Sequence, residues 1–206
     1  MIGNMSINHD GKMECIENRV IARSFVYLAI SPERSYEDAL NTSLILMSCS
    51  IHLEGKNQIV DQVEYGAPVI IQTIISRLEQ QDHPDLRKNL KVALTNVAEL
   101  PRGFQEITRQ LLNNIKILDE VFGARAVKPL HNFLPKLSDY DDMLTITKED
   151  AAIAHPIIYA LSYLFKNYKD DAAEVAINET INFSEKLAPF INPEHGMQKE
   201  VFNCLL

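Results

Sequence analysis

Between Gly66 and Glu99 the chain carries two helical stripes in succession, and together they limit what it can fold into. Ile71, Ile74, Ile75 and Leu78 fall at i, i+3, i+4 and i+7, the spacing that places side chains on one face of an α-helix. Leu86, Leu90, Ala93, Leu94 and Val97 do much the same after His83-Pro84-Asp85, where proline suits the first turn of a new helix. Each helix therefore has an apolar face that a neighbour must cover. A lone pair cannot cover both faces, so further helices must stack on them.

Comparable stripes run through the rest of the chain. Residues 1–13 are polar and predict a loose leader ahead of a single domain over 14–206. Ile21, Phe25, Leu28 and Ala29 predict a helix from Glu14 to Ile30. Ser31 and Pro32 open the next helix as cap and first-turn residue; its stripe is Leu40, Leu44, Met47 and Ile51, with Gly55 placed for a left-handed C-terminal cap. Gln58 to Tyr65 predicts a short helix. Phe104, Ile107, Leu111, Ile115, Leu118 and Phe122 predict one long helix that ends at Gly123-Ala124. Val127, Leu130, Leu134 and Leu137 continue as a helix that Pro129 and Pro135 should shorten or kink. Ser138 to Thr147 reads as an acidic loop, and Thr147 with Asp150 makes a capping box for a helix bearing Ile153, Ile157, Ala160, Leu161 and Leu164. Helices near Asp171–Leu187 and Glu194–Leu206 complete an all-α reading, since no long alternating runs predict strands.

Compared with itself, the chain repeats. Leu86, Leu90, Ala93, Leu94 and Val97 map at a constant offset of 67 onto Ile153, Ile157, Ala160, Leu161 and Leu164. Ile71, Ile74, Ile75 and Leu78 map at 59 onto Leu130, Phe133, Leu134 and Leu137, and Tyr65-Gly66-Ala67 maps at 57 onto Phe122-Gly123-Ala124. An offset of 46 relates Leu40, Leu44, Met47 and Ile51 to Leu86, Leu90, Ala93 and Val97. The segment Ala93-Leu94-Thr95-Asn96-Val97-Ala98 resembles the Ala-Leu-Ser-Asn-Leu-Ala segment that ends the third helix of an armadillo repeat. Where peptide-binding members often place tryptophan, this chain has Val92, and it has no Trp at all. The resemblance implies a right-handed superhelical stack of armadillo/HEAT-like repeats, an α-solenoid whose third helices line a groove. The alternative is an irregular multi-helix bundle.

Charge and motif content narrow the function. A net charge of −8 and a pI near 5.2 argue against general nucleic-acid binding, which needs a basic field. Arg87, Lys88, Lys91, Arg102 and Arg109 could form a local basic stripe or a solvated face. No apolar run is long enough to span a bilayer, and Met1 to Met13 lacks the apolar core of a signal peptide, so a cytoplasmic location is expected. No cofactor is implied, because no P-loop, dinucleotide glycine pattern or G-x-S-x-G occurs. No metal site is implied either: Asp139, Asp141 and Asp142 lack the glycine and glutamate of a calcium loop.

On an ideal helix, Asn89, Val92 and Asn96 lie about a quarter turn from the second apolar stripe, and Pro156, Tyr159 and Tyr163 occupy the equivalent face of the later helix. In the groove that the resemblance implies, Asn89, Asn96, Tyr159 and Tyr163 would hold a protein or peptide partner with basic residues. Tyrosine offers rigid surface there, and asparagine both donor and acceptor. Two other readings stand beside this scaffold: a small helical enzyme with a site around His131, Asp150, His155 and Tyr159, or an adaptor, inhibitor or secreted effector acting on a host protein. Cys15, Cys49 and Cys204 have no metal or redox spacing and are expected as free thiols. Alkylation without reductant should therefore add three labels to the intact mass, and a single label would show that two of the thiols are bonded.

Overall fold

A computed structural model describes residues 2–29, 32–64, 67–80, 83–135, 146–179, 183–191, 194 and 196–205, nearly all of them helical. The chain divides into two compact units, Met1–Gln110 and Leu111–Leu206, where the sequence predicts one domain. No helix among the described residues is long and apolar enough to cross a membrane.

In the first unit, the expected leader carries α1 (Ile2–Met5) and α2 (His9–Glu17). Asn8 supplies the reason: its side-chain oxygen accepts from the Gly11 N–H at 2.7 Å, an N-cap concealed by the polar composition. Arg19, with a φ of 51°, interrupts the helix predicted from Glu14 to Ile30 and leads into α3 (Val20–Ser24) and α4 (Val26–Ala29). These four short helices pack on α5 (Pro32–Cys49), with Gly3, Ser6, Cys15, Ile16 and Ile21 buried.

The stripe expected on α5 is rotated. Its buried positions are Ala39, Thr42, Ser43, Ile45, Leu46, Ser48 and Cys49, whereas Leu40, Leu44 and Met47 are half-buried and Ile51 lies beyond the helix, exposed. Gly55 is not a left-handed cap. It lies inside α6 (Leu53–Asp61), where a Cβ would meet the Cys49 carbonyl oxygen at 2.1 Å, so glycine permits the close turn between α5 and α6. Val63–Glu64 and Ala67–Pro68 then make a two-residue antiparallel ladder ahead of α7 (Val69–Glu79). The stripes of α7 and α8 (Pro84–Val97) are buried as predicted, with Ile71, Ile74, Leu86, Leu90, Ala93, Leu94 and Val97 wholly inaccessible.

α5 and α8 run side by side. Asn89 Nδ2 donates to Ser43 Oγ at 3.0 Å, and Asn96 Nδ2 donates to Ser50 Oγ at 3.0 Å. Both pairs are separated by 46 residues, so the two helices advance in parallel. Each serine passes its own proton to a carbonyl one turn back, Leu40 or Met47, at 2.8 Å. Beyond the ladder, Lys56 pairs with Glu99, and Arg102 at the start of α9 (Pro101–Leu111) reaches Asp61 at 2.5 Å and Asn57 at 2.9 Å.

The long helix predicted from Phe104 to Phe122 is two helices. Asn114 breaks it and caps α10 (Ile115–Phe122) by accepting from the Ile117 N–H. In the second unit, Gly123 takes a φ of 52° with the Tyr168 ring 3.6 Å from where a Cβ would stand, and a 3-10 turn leads into α11 (Val127–Phe133). Pro129 sits in the first turn of α11 and Pro135 just past its end, so the prolines bracket the helix instead of kinking it. The Thr147–Asp150 capping box forms as predicted and opens α12 (Lys148–Asn167). Ile157, Ala160, Leu161 and Leu164 are buried there, but Ile153 is exposed. The helix expected from Asp171 to Leu187 is α13 (Lys169–Glu179) and α14 (Phe183–Leu187), and α15 (Gln198–Leu205) packs on α12 through an Asn203–Ser162 side-chain bond of 3.0 Å. The Tyr65-Gly66 turn, Leu137 and the acidic stretch at Asp139 to Asp142 lie outside the described residues.

Truncating Leu94 to Ala should cost about 2–5 kcal/mol in urea denaturation, as a cavity opens where no surface is exposed. Asn89→Ala should cost about 1 kcal/mol by removing its bond to the Ser43 hydroxyl in the interface. An unchanged midpoint for either would refute its placement.

Candidate functional site

α12 projects His155, Tyr159 and Tyr163 at successive four-residue steps, hence along one face. Tyr159 is 54% exposed, His155 is also exposed, and Tyr163 is half-buried. Facing them are residues set by the Asn114 break: Leu112, Asn113 and Ile115. Together with His155, Pro156 and Tyr159 these line an open cleft of about 300 Å³. Leu112, Ile115 and Pro156 supply apolar surface, and Asn113, His155 and Tyr159 supply polar groups. Pro156 lies inside the helix and has no N–H, so the Ala152 carbonyl loses its usual partner.

One turn further along both helices, Ile115 gives way to Asp119 and Tyr159 to Tyr163. The Tyr163 hydroxyl donates to Asp119 Oδ2 at 3.3 Å, and the Tyr168 hydroxyl hydrogen-bonds the same carboxylate. Burial first, then the Asp119 charge, pushes the Tyr163 phenol above its ordinary pKa; for Tyr168 the bond to Asp119 is the leading cause of a rise. Asp119 Oδ1 is buried without a hydrogen-bond partner among the described residues, and no cation pairs with this carboxylate there.

The other residues singled out in the sequence lie elsewhere. Asn89 and Asn96 belong to the first unit, where their amides bind Ser43 and Ser50. Asp150 is engaged with Thr147 in the capping box. His131 is buried in α11, and Lys186 Nζ donates to its backbone carbonyl at 3.2 Å. The basic stripe is largely spent internally: Arg87 donates to the Leu78 carbonyl, Arg102 to Asp61, and Arg109 pairs with Glu106. No group of three His, Cys, Asp or Glu side chains that could hold a metal occurs among the described residues. All three cysteines are buried free thiols. Leu112, Asn113 and Asp119 carry no signal in the sequence, and Ile115 reads there only as part of an apolar stripe, although an Asn immediately before an apolar helical run is an N-cap signal for the break.

Compared with known proteins, the chain finds no match among family models, curated proteins or solved structures.

Burial, reinforced by the Lys186 charge, holds the His131 imidazole down at about 4. The unfolded chain takes up that proton near 6.5, so the contribution of His131 to stability is complete above that pH and is lost as pH falls towards 4. The loss should approach about 3 kcal/mol. Denaturation midpoints measured across this range should decline, and His131→Phe should flatten that part of the slope.

Proposed function

We propose that this chain is a non-catalytic protein–protein interaction module, an armadillo/HEAT-like scaffold, that holds an extended segment of a partner against α12. The carrying observation is the open cleft beside His155, Pro156 and Tyr159, which combines an apolar floor with a few polar groups able to orient a peptide backbone. Tyrosine at such a place is the residue type from which binding hot spots are built. The 46-residue separation of both Asn–Ser pairs supports the repeat reading, because it equals the sequence offset between Leu40, Leu44, Met47 and Ile51 and the α8 stripe, although the buried face of α5 itself is rotated from those positions. Successive copies of a repeat lie side by side in this manner. Asn89 and Asn96, expected from the sequence to share in this contact, lie in the other unit with their amides bonded to Ser43 and Ser50, so the proposed contact rests on α12 alone. The partner is a protein or peptide with basic residues, whose encounter the net charge of −8 would steer, and the setting is the cytoplasm.

Affinity capture with the wild-type chain and with a Tyr159→Ala, Tyr163→Ala double variant tests the reading. The double variant should lose at least about 2 kcal/mol of binding to the captured partner. Equal retention by both chains would remove the cleft as the site.

A further inference from the structure

We propose that Asp119, one turn beyond the α10–α12 cleft, is the counter-charge for an arginine side chain of the bound segment, which reaches it from the cleft past Tyr159 and Tyr163. The inference rests on the peptide-binding reading and adds the chemistry of one subsite. A half-buried carboxylate is costly without compensation, and Asp119 has only phenol hydroxyls for partners among the described residues. Its Oδ1 is buried and accepts no hydrogen bond among the described residues. An incoming guanidinium supplies the two things missing, a positive charge and N–H groups in a planar fork that matches a carboxylate. The approach is aromatic. Tyr159 is more than half exposed at the cleft and Tyr163 stands one turn closer to Asp119, so a planar cation can lie along tyrosine faces as it reaches the carboxylate. The acidic net charge favours the same occupant.

The test uses the full chain and two acetylated, amidated peptides, Gly-Ser-Gly-Arg-Gly-Ser-Gly and the same sequence with citrulline, which keeps the shape of arginine and removes its charge. Binding is read by NMR shifts of Asn113, Tyr159 and Tyr163. The arginine peptide should bind saturably and about tenfold or more tighter than the citrulline peptide. Asp119→Asn should abolish that difference, and Tyr159→Ala should weaken the arginine peptide without touching the carboxylate. Equal binding of the two peptides, or no binding of either, overturns the proposal. If Asp119→Asn fails to fold, the citrulline comparison and Tyr159→Ala decide alone. Partner capture that needs Tyr159 and Tyr163 but is indifferent to Asp119→Asn would leave the interaction module standing and remove the arginine site.

Discussion

The first unit depends on how two parallel helices are kept in register. Apolar packing is non-directional and by itself would tolerate one helix sliding along the other by a turn. The pairs Asn89–Ser43 and Asn96–Ser50 remove that freedom, because a one-turn slip would part both amides from their acceptors, the Asn89 amide within the buried interface. The serines can serve because each sends its own proton back along α5 and keeps its lone pairs for the asparagine. Lys56 with Glu99, and Arg102 with Asp61, extend the fixed register to the neighbouring elements. An asparagine–serine bond recurs between α15 and α12.

The same chemistry explains what the sequence disclosed. The stripes of α7 and α8 were legible because they are continuous and flanked by proline, so periodicity and stop signal agreed. The Thr147–Asp150 box was legible because capping is local: donor, acceptor and spacing all lie within one turn.

What failed to show was set by single residues whose effect is conformational or distant. Asn114 splits a stripe that runs unbroken from Phe104 to Phe122, since N-capping competes with helix continuation on equal terms. Gly55 resembles a cap, yet it is required by a 2.1 Å approach to a carbonyl that only the folded turn creates. Asn8 builds a helix from residues whose polarity reads as leader. Of the candidate site, Tyr159 and Tyr163 were legible from helical spacing. Asp119 was not, because 44 residues separate it from Tyr163 and no local pattern joins them. Asn89 and Asn96 read as polar residues beside an apolar stripe; the hydroxyls they bind lie 46 residues away in the chain.

The proline within α12 bears on how the cleft behaves over time. Pro156 removes one amide from the helical ladder midway along the element, so the turns before it are held by fewer cooperative bonds than those after it. Slow opening would then run from Lys148 up to the cleft and stop there, leaving Ile157 to Leu164 closed in the core. Hydrogen exchange along this one helix would fall into a fast half and a slow half, with the cleft wall as the boundary between them.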